Sequence, residues 1–594
     1  MGIRAAASLA LAIGAGFASG AGPLGIRVQP LYEGRRASGM VALVATVSNS
    51  GRDATGAVVV STEGMAPVRF PVALPRGSVK RVRMLAPLNA YYGTPTVVLE
   101  TDRGSVRAML PPSEIAYGED HPGALLIGGA SGELNFLEES TGLFVQAESA
   151  PDRPIAYASM RFVVLGEGAE RMSDGVVDAL QAWAETGGTI VVVGGASNPL
   201  LFDRRWTPFL PLEAEGSRQA RIPRSVEKLW GRPMPDAPIA VAFGRVAPGA
   251  RVAVQGPVPL VMDRPLGSGR VLMFAFNPFE GPLRTWPGRK KMFEQHLPAM
   301  GSTGMMGLQS QPSYFGGTRI PSSPGVIRNE PDPFTVELPA TGTVLMLLAG
   351  YVVLVVPINF LLLRKLKRGE WAWVTSPLLS LGFAAVFFSF AADLYKTPLG
   401  RAVTGTLYLD SRLDHGYLVG NAQLFIPRGG TYDLRFDAVD WVAPVGFDLY
   451  GSGYGGRTES RIDLGLVDNG NLHARRAAFP NLAFHQFGFA QRLETAGWLA
   501  VRGSVKNGKV RLELTNGSPY SMAPTIGKGD ANALPVGILA PGASGAVQLA
   551  GSRVPPHVFV FGSLEGLEAG PRLGKDYSSP TSMRFEAVVQ VVNE

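Results

Sequence analysis

Two uncharged apolar stretches just past the middle of the chain limit its fold more than any other feature. Thr341–Leu363 and Trp371–Ala392 contain no Asp, Glu, Lys or Arg. Each exceeds the roughly 20 residues that an α-helix needs to cross a hydrocarbon core of about 30 Å. The connector, residues 364–370 (Arg-Lys-Leu-Lys-Arg-Gly-Glu), is dominated by cations. Such a loop stays in the cytoplasm by the positive-inside rule, which puts both flanking regions across the membrane. The expectation is a two-helix transmembrane hairpin, with spans at 341–363 and 371–392. Pro357 frees a carbonyl and Asn359 carries an amide, so both are expected to face the second helix.

A chain of 594 residues is too long for one core. With 74 Gly, 47 Pro and only 17% charged residues, it favours short strands and turns over long solvated helices. There is no cysteine, hence no disulfide and no thiol for catalysis or metal binding. The net charge of +7 is spread along the chain. Without a basic-aromatic module, nucleic acid is not an expected partner. At the start, Arg4, the apolar run Ala5–Ala18 and the small residues Ser19-Gly20-Ala21 read as a signal peptide over 1–21. Leader and loop charge agree on location. The large regions belong in the periplasm or outside the cell, on a protein of the inner (cytoplasmic) membrane.

Residues 22–112 alternate as a β-sandwich, with Ser48-Asn49-Ser50-Gly51 as a hairpin turn. Pro71, which cannot donate to a ladder, suggests an edge strand. Residues 113–300 change rhythm. The apolar runs Ala124–Gly128, Phe162–Gly166 and Thr189–Val193 read as buried strands, and the helix after Ser173 ends at Gly187-Gly188. This predicts an α/β parallel-sheet domain covered on both faces. Residues 301–340 form a Gly/Ser/Pro-rich linker, 364–370 the cytoplasmic loop, and 393–594 a β-rich exported domain. Within the last, Asn507-Gly508 is the strongest hairpin signal.

The segments LQAWAETGGTIVVVGG (180–195) and GSGRVLMFAFNP (267–278) resemble the class I glutamine amidotransferase-like fold. The arrangement is similar to that of uncharacterised bacterial membrane proteins in which this fold accompanies a signal peptide, β-domains and two spans. In active members the turn after this strand carries a nucleophilic cysteine, helped by a downstream His and Glu. Here that turn is Gly194–Ser197, and the nearest downstream histidine is His296. The resemblance therefore implies an amidotransferase-like domain without the catalytic cysteine, a pseudoenzyme.

Beyond the strand ends, Gly129, Ser131, Gly195, Ser197 and Asn277 are the candidate ligand-binding residues. Ligands in open α/β sheets sit there, and following N–H groups attract anions. No catalytic residue is assigned, and no cofactor or metal is expected. The six histidines (His121, His296, His415, His473, His485 and His557) show no ligand spacing. The reading is a non-catalytic, membrane-anchored cell-envelope protein binding protein partners or a small ligand. Its alternatives are an accessory subunit of a membrane transporter, or an exported hydrolase or transferase with an unrecognised site.

Overall fold

Strands account for 50% of the described residues. Its structure, a computed structural model, describes residues 23–34, 39–61, 67–88, 95–110, 123–137, 141–196, 198–297, 341–394, 399–436, 439–445, 466–468, 472–481, 483–527, 533–573 and 581–593. The leader (1–21) and the linker (301–340) lie outside them.

The first strands are β1 (Leu24–Pro30), β2 (Gly39–Asn49), β3 (Ala54–Ser61), β4 (Val68–Leu74), β5 (Ser78–Leu88), β6 (Thr96–Thr101) and β7 (Gly104–Met109). Ile26, Leu43, Val58, Leu74 and Leu99 of these strands meet in one core, as alternation demands. The middle region follows with β8 (Gly123–Ile127), β9 (Thr141–Val145), β10 (Met160–Leu165), helix α1 (Asp174–Glu185) and β11 (Thr189–Val193). It continues through β12 (Leu212–Ala220), α2 (Arg224–Trp230), β13 (Ile239–Val246), β14 (Arg251–Gln255), β15 (Pro259–Leu266), β16 (Gly269–Phe274) and α3 (Arg289–His296). Then come α4 (Thr341–Val353), a π-turn at Leu354–Ile358, α5 (Asn359–Lys365) and α6 (Ala372–Leu394). The last region runs β17 (Gly400–Asp410), β18 (His415–Ile426), β19 (Gly430–Phe436), β20 (Val439–Val445), β21 (Leu466–Asp468), β22 (Leu472–Phe479) and β23 (Ala483–Glu494). It closes with β24 (Leu499–Lys506), β25 (Lys509–Asn516), β26 (Ser521–Ile526), β27 (Leu534–Pro535), β28 (Ser544–Ala550), β29 (His557–Glu565), β30 (Arg572–Leu573) and β31 (Thr581–Asn593).

Pairing corrects the expected fold class in three places. The N-terminal strands are not a separate sandwich. β4 pairs with β21, so one eight-stranded sheet, β30-β19-β22-β21-β4-β3-β6-β7, draws on both ends of the chain. Pro71 is compatible with this because β21 meets only Val68 and Arg69 and stops short of it.

In the middle region an α/β parallel-sheet domain is not evident. A seven-stranded mixed sheet, β14-β15-β16-β11-β10-β8-β9, stands there, with β14 and β15 antiparallel to their neighbours. Its connections are mostly turns, 3-10 segments and hairpins, with few helices to form layers. The long helix α1 is not an outer cover either. Its Val177, Leu180 and Trp183 share one core with Tyr417, Val419 and Ala490 of the last region. Gln181 and Glu185 are buried as well, as in a helix enclosed on all sides.

The third correction concerns the two-helix hairpin. Among the described residues one helix, Leu345–Lys365, is long and apolar enough to cross a membrane. α6 follows it and does not meet that test over its described residues. The polar side chains near the start of α6 turn to the first helix instead: Asn359 Nδ2 donates to Ser376 Oγ at 3.1 Å, and the Tyr351 and Ser380 hydroxyls bond at 2.9 Å. Pro357 sits in the π-turn, which accommodates its missing N–H and its ring.

Candidate functional site

Strands β8, β10, β11 and β16 run parallel, so their carboxyl ends gather at one edge of the mixed sheet. Apolar runs such as Leu125–Ile127 and Val191–Val193 are buried on both faces, which fixes the strands beneath the turns. Gly128 and Gly129 both take φ +75° and Gly195 takes +111°, conformations in which a Cβ is strained. The turns bind their neighbours directly. The Gly128 N–H donates to Val145 O at 3.0 Å, Gly129 N–H to Glu167 O at 2.7 Å, and Gly194 N–H to Phe274 O at 2.7 Å. A Cβ on Gly194 would lie 2.2 Å from Ala275 O. These glycine N–H groups are thus engaged in joining strand ends.

The structure brings Gly195 and Asn277 together, with a Cβ on Gly195 reaching 3.0 Å from that of Asn277. Asn277 is committed locally. Its Oδ1 accepts from the Phe279 N–H at 3.0 Å, and its Nδ2 donates to Glu280 Oε1 at 2.7 Å. Gly129 lies two strands away, on the turn after β8, against the Glu133 carboxylate. Ser131 is exposed, and Ser197 lies outside the described residues. Ser217 Oγ donates to Ala196 O at 2.6 Å, tying the β12–β13 ribbon to this edge.

Glu133 and Arg289 emerge at the same edge, and the glycine pattern gave no signal for their being neighbours. Burial pushes the Glu133 carboxyl up, while the backbone at Ala130 and the charges of Arg284 and Arg289 pull it back. Burial likewise lowers Arg289, whose guanidinium lies 3.9 Å from the Phe136 ring centroid. Its Nε is buried without a hydrogen-bond partner. The arrangement can hold or orient a polar group. It offers no nucleophile hydrogen-bonded to a base among the described residues, nor any cluster of three His, Asp or Glu able to hold a metal. His296 stands elsewhere, at the end of α3.

No protein-family model matches this chain, and no curated protein matches it. Among solved structures, a cytoplasmic protein from Salmonella typhimurium LT2 aligns over 28% of this chain and 95% of its own, at 13% identity and TM-score 0.23. An exo-β-1,4-mannosidase from Opitutaceae bacterium strain TAV5 aligns over 29% of this chain and 34% of its own, at 14% identity and TM-score 0.21. A yeast delta-COP-I mu-homology domain aligns over 33% and 98%, at 12% identity and TM-score 0.21. Similarity at this level defines no shared fold for the chain.

Proposed function

We propose that this is a membrane-anchored protein of the bacterial cell envelope that works by binding a protein partner or a small ligand, without catalysis. The observation that carries the reading is the helix Leu345–Lys365, of which only 6% is buried inside the protein. Its Leu345, Met346, Leu348 and Val352 are exposed. An apolar helix of that length, left uncovered by protein, is matched by lipid. The turn Gly194–Ala196 has no thiol, which supports binding over turnover, while Asn277 and the glycine N–H groups of that edge are engaged within the protein. The resemblance to amidotransferase-like envelope proteins belongs to this proposal without their chemistry. The leader pattern at 1–21 supports placing the β-rich body on the exported side of the inner membrane, and the β4–β21 pairing keeps the chain before and after the helix on that one side.

Two measurements test the reading. After alkaline carbonate washing of membranes the protein is expected in the pellet, and release into the supernatant would count against anchoring. Protease added outside spheroplasts is expected to digest the β-rich body; full protection in intact spheroplasts would place it on the cytoplasmic side.

A further inference from the structure

The edge of the mixed sheet opposite the glycine turns opens into a cavity of about 1000 Å³ between the middle and last regions. One wall is a face of the β14–β16 strands. The register sets Arg251 across from Asp263, and Arg270 across from Pro265, on a shared face. The other wall is a face of β29 and β31, where Phe561 lies across from Glu586 and Ser563 across from Arg584. Phe559 sits two residues before Phe561 on the same face and also lines the cavity.

The charges there do not cancel evenly. Arg251 binds Asp263 through Nε at 3.0 Å and Nη2 at 2.9 Å. Glu586 accepts from Ser268 Oγ at 2.8 Å, a neutral donor. Arg270 spends one Nη2 bond on His296 O at 2.7 Å and makes no ion pair among the described residues. Arg584 makes none there either. Burial lowers the pKa of Arg270, and the buried Nε2 of neighbouring His296 has no partner. A half-buried guanidinium with unspent donors favours an anion, which it can grip with two parallel bonds. The half-buried rings of Phe559 and Phe561 favour a flat apolar body beside it.

We infer that the cavity is a binding site for a small ligand joining a carboxylate or phosphate to a flat apolar body, with the anion at Arg270 and Arg584 and the body on Phe559 and Phe561. This rests on the binding role proposed above and gives it a ligand class. Titration calorimetry on the full chain in lipid nanodiscs, with empty discs as blank, tests it using naphthyl phosphate, naphthoate, inorganic phosphate and naphthol. One of the aryl anions is expected to bind at least roughly tenfold more tightly than inorganic phosphate or naphthol, and the tighter of the two identifies the head group. Arg584→Gln, at an exposed position, is expected to weaken that binding about tenfold. Arg270→Gln should do the same with its unfolding midpoint retained. Equal binding of naphthol, binding unchanged in Arg584→Gln, or no binding of either aryl anion each overturns the inference. Retention of the protein in the discs, read by size exclusion, reports anchoring separately, so the ligand class can fail while the anchored reading stands.

Discussion

The two edges of the mixed sheet are finished in opposite ways. At the carboxyl edge the partners stay within the middle region: Asn198 accepts from the Leu200 N–H, Asn277 from the Phe279 N–H, and Phe274 O from the Gly194 N–H. At the other edge the partners are far apart. The Gly267 N–H donates to Asp410 Oδ2 at 3.0 Å, Arg412 Nη2 to Pro265 O at 2.6 Å, and Arg492 Nη2 to Asp178 Oδ2 at 3.1 Å. Between these groups Glu185 is fully buried; burial, with Asp410 beside it, raises its pKa well above the carboxylate range. The lesson is a division of labour. Local turns seal one edge, while the other depends on buried charge supplied by the last region, where an unmatched group is costly.

The strongest way to break this contrast is at Asp410. It holds Arg412 at 2.5 Å with almost no solvent access to either side chain. Asp410→Ala is expected to cost about 3–5 kcal/mol by leaving the guanidinium buried and unpaired. Denaturant unfolding measures it, and a loss below about 1 kcal/mol would mean that the seam is not dependent on charge. At the sealed edge, Gly194→Ala drives a methyl group into the Ala275 carbonyl. The expected cost is about 1–3 kcal/mol, visible as a lower unfolding midpoint; an unchanged midpoint would show that the edge yields freely.

Proton uptake sharpens the contrast next. Burial, helped by the Arg492 charge and opposed by Asp178 and Asp414, lowers His415 from 6.5 to about 4. Because the folded value lies below the unfolded one, this stability is present in full above pH 6.5 and drains away as pH falls toward 4. Between pH 6.5 and 5 the loss is on the order of 1–2 kcal/mol. His485 is lowered to about 4 by burial too, so the readout is the difference between wild type and His415→Gln. The variant should lose less stability on acidification, and parallel pH profiles would remove His415 from the account. The smallest effect is expected from Ser131→Ala, within about 0.5 kcal/mol, because the side chain is exposed. An effect on partner capture at unchanged stability would return Ser131 to the binding site.

Local chemistry made some of this legible from the residues alone. Continuous apolar runs located β8, β10 and β11, and Gly187, at φ +116°, ends α1 where the helix pattern stops. Asn507 and Gly508 take φ +52° and +72° in the β24–β25 hairpin. What stayed hidden was pairing at long range. No periodicity tells Val68 to pair with Leu466, or β17 to run beside β31. The helix α1 looked like an outer cover because its apolar face was plain, yet Gln181 and Glu185 on its polar side are buried by a sheet made later. For the same reason Glu133 and Arg289 were visible as charges but not as neighbours. Asn277 was legible as a member of the strand-end edge, though not its commitment to Glu280.

The β4–β21 pairing has a consequence for the chain as it is being made. When Leu74 has been synthesised, β4 has its β3 partner, but the strand that covers its other side begins at Leu466. That is roughly 400 residues later, or tens of seconds at about 5–20 residues per second. Through that interval the nascent protein carries an open β-edge, able to recruit strands from other chains. Pro71 sits in the middle of β4 and offers no N–H to such a recruit. The residue that shortens the native pairing also guards the unfinished protein while it waits for its own distant strand.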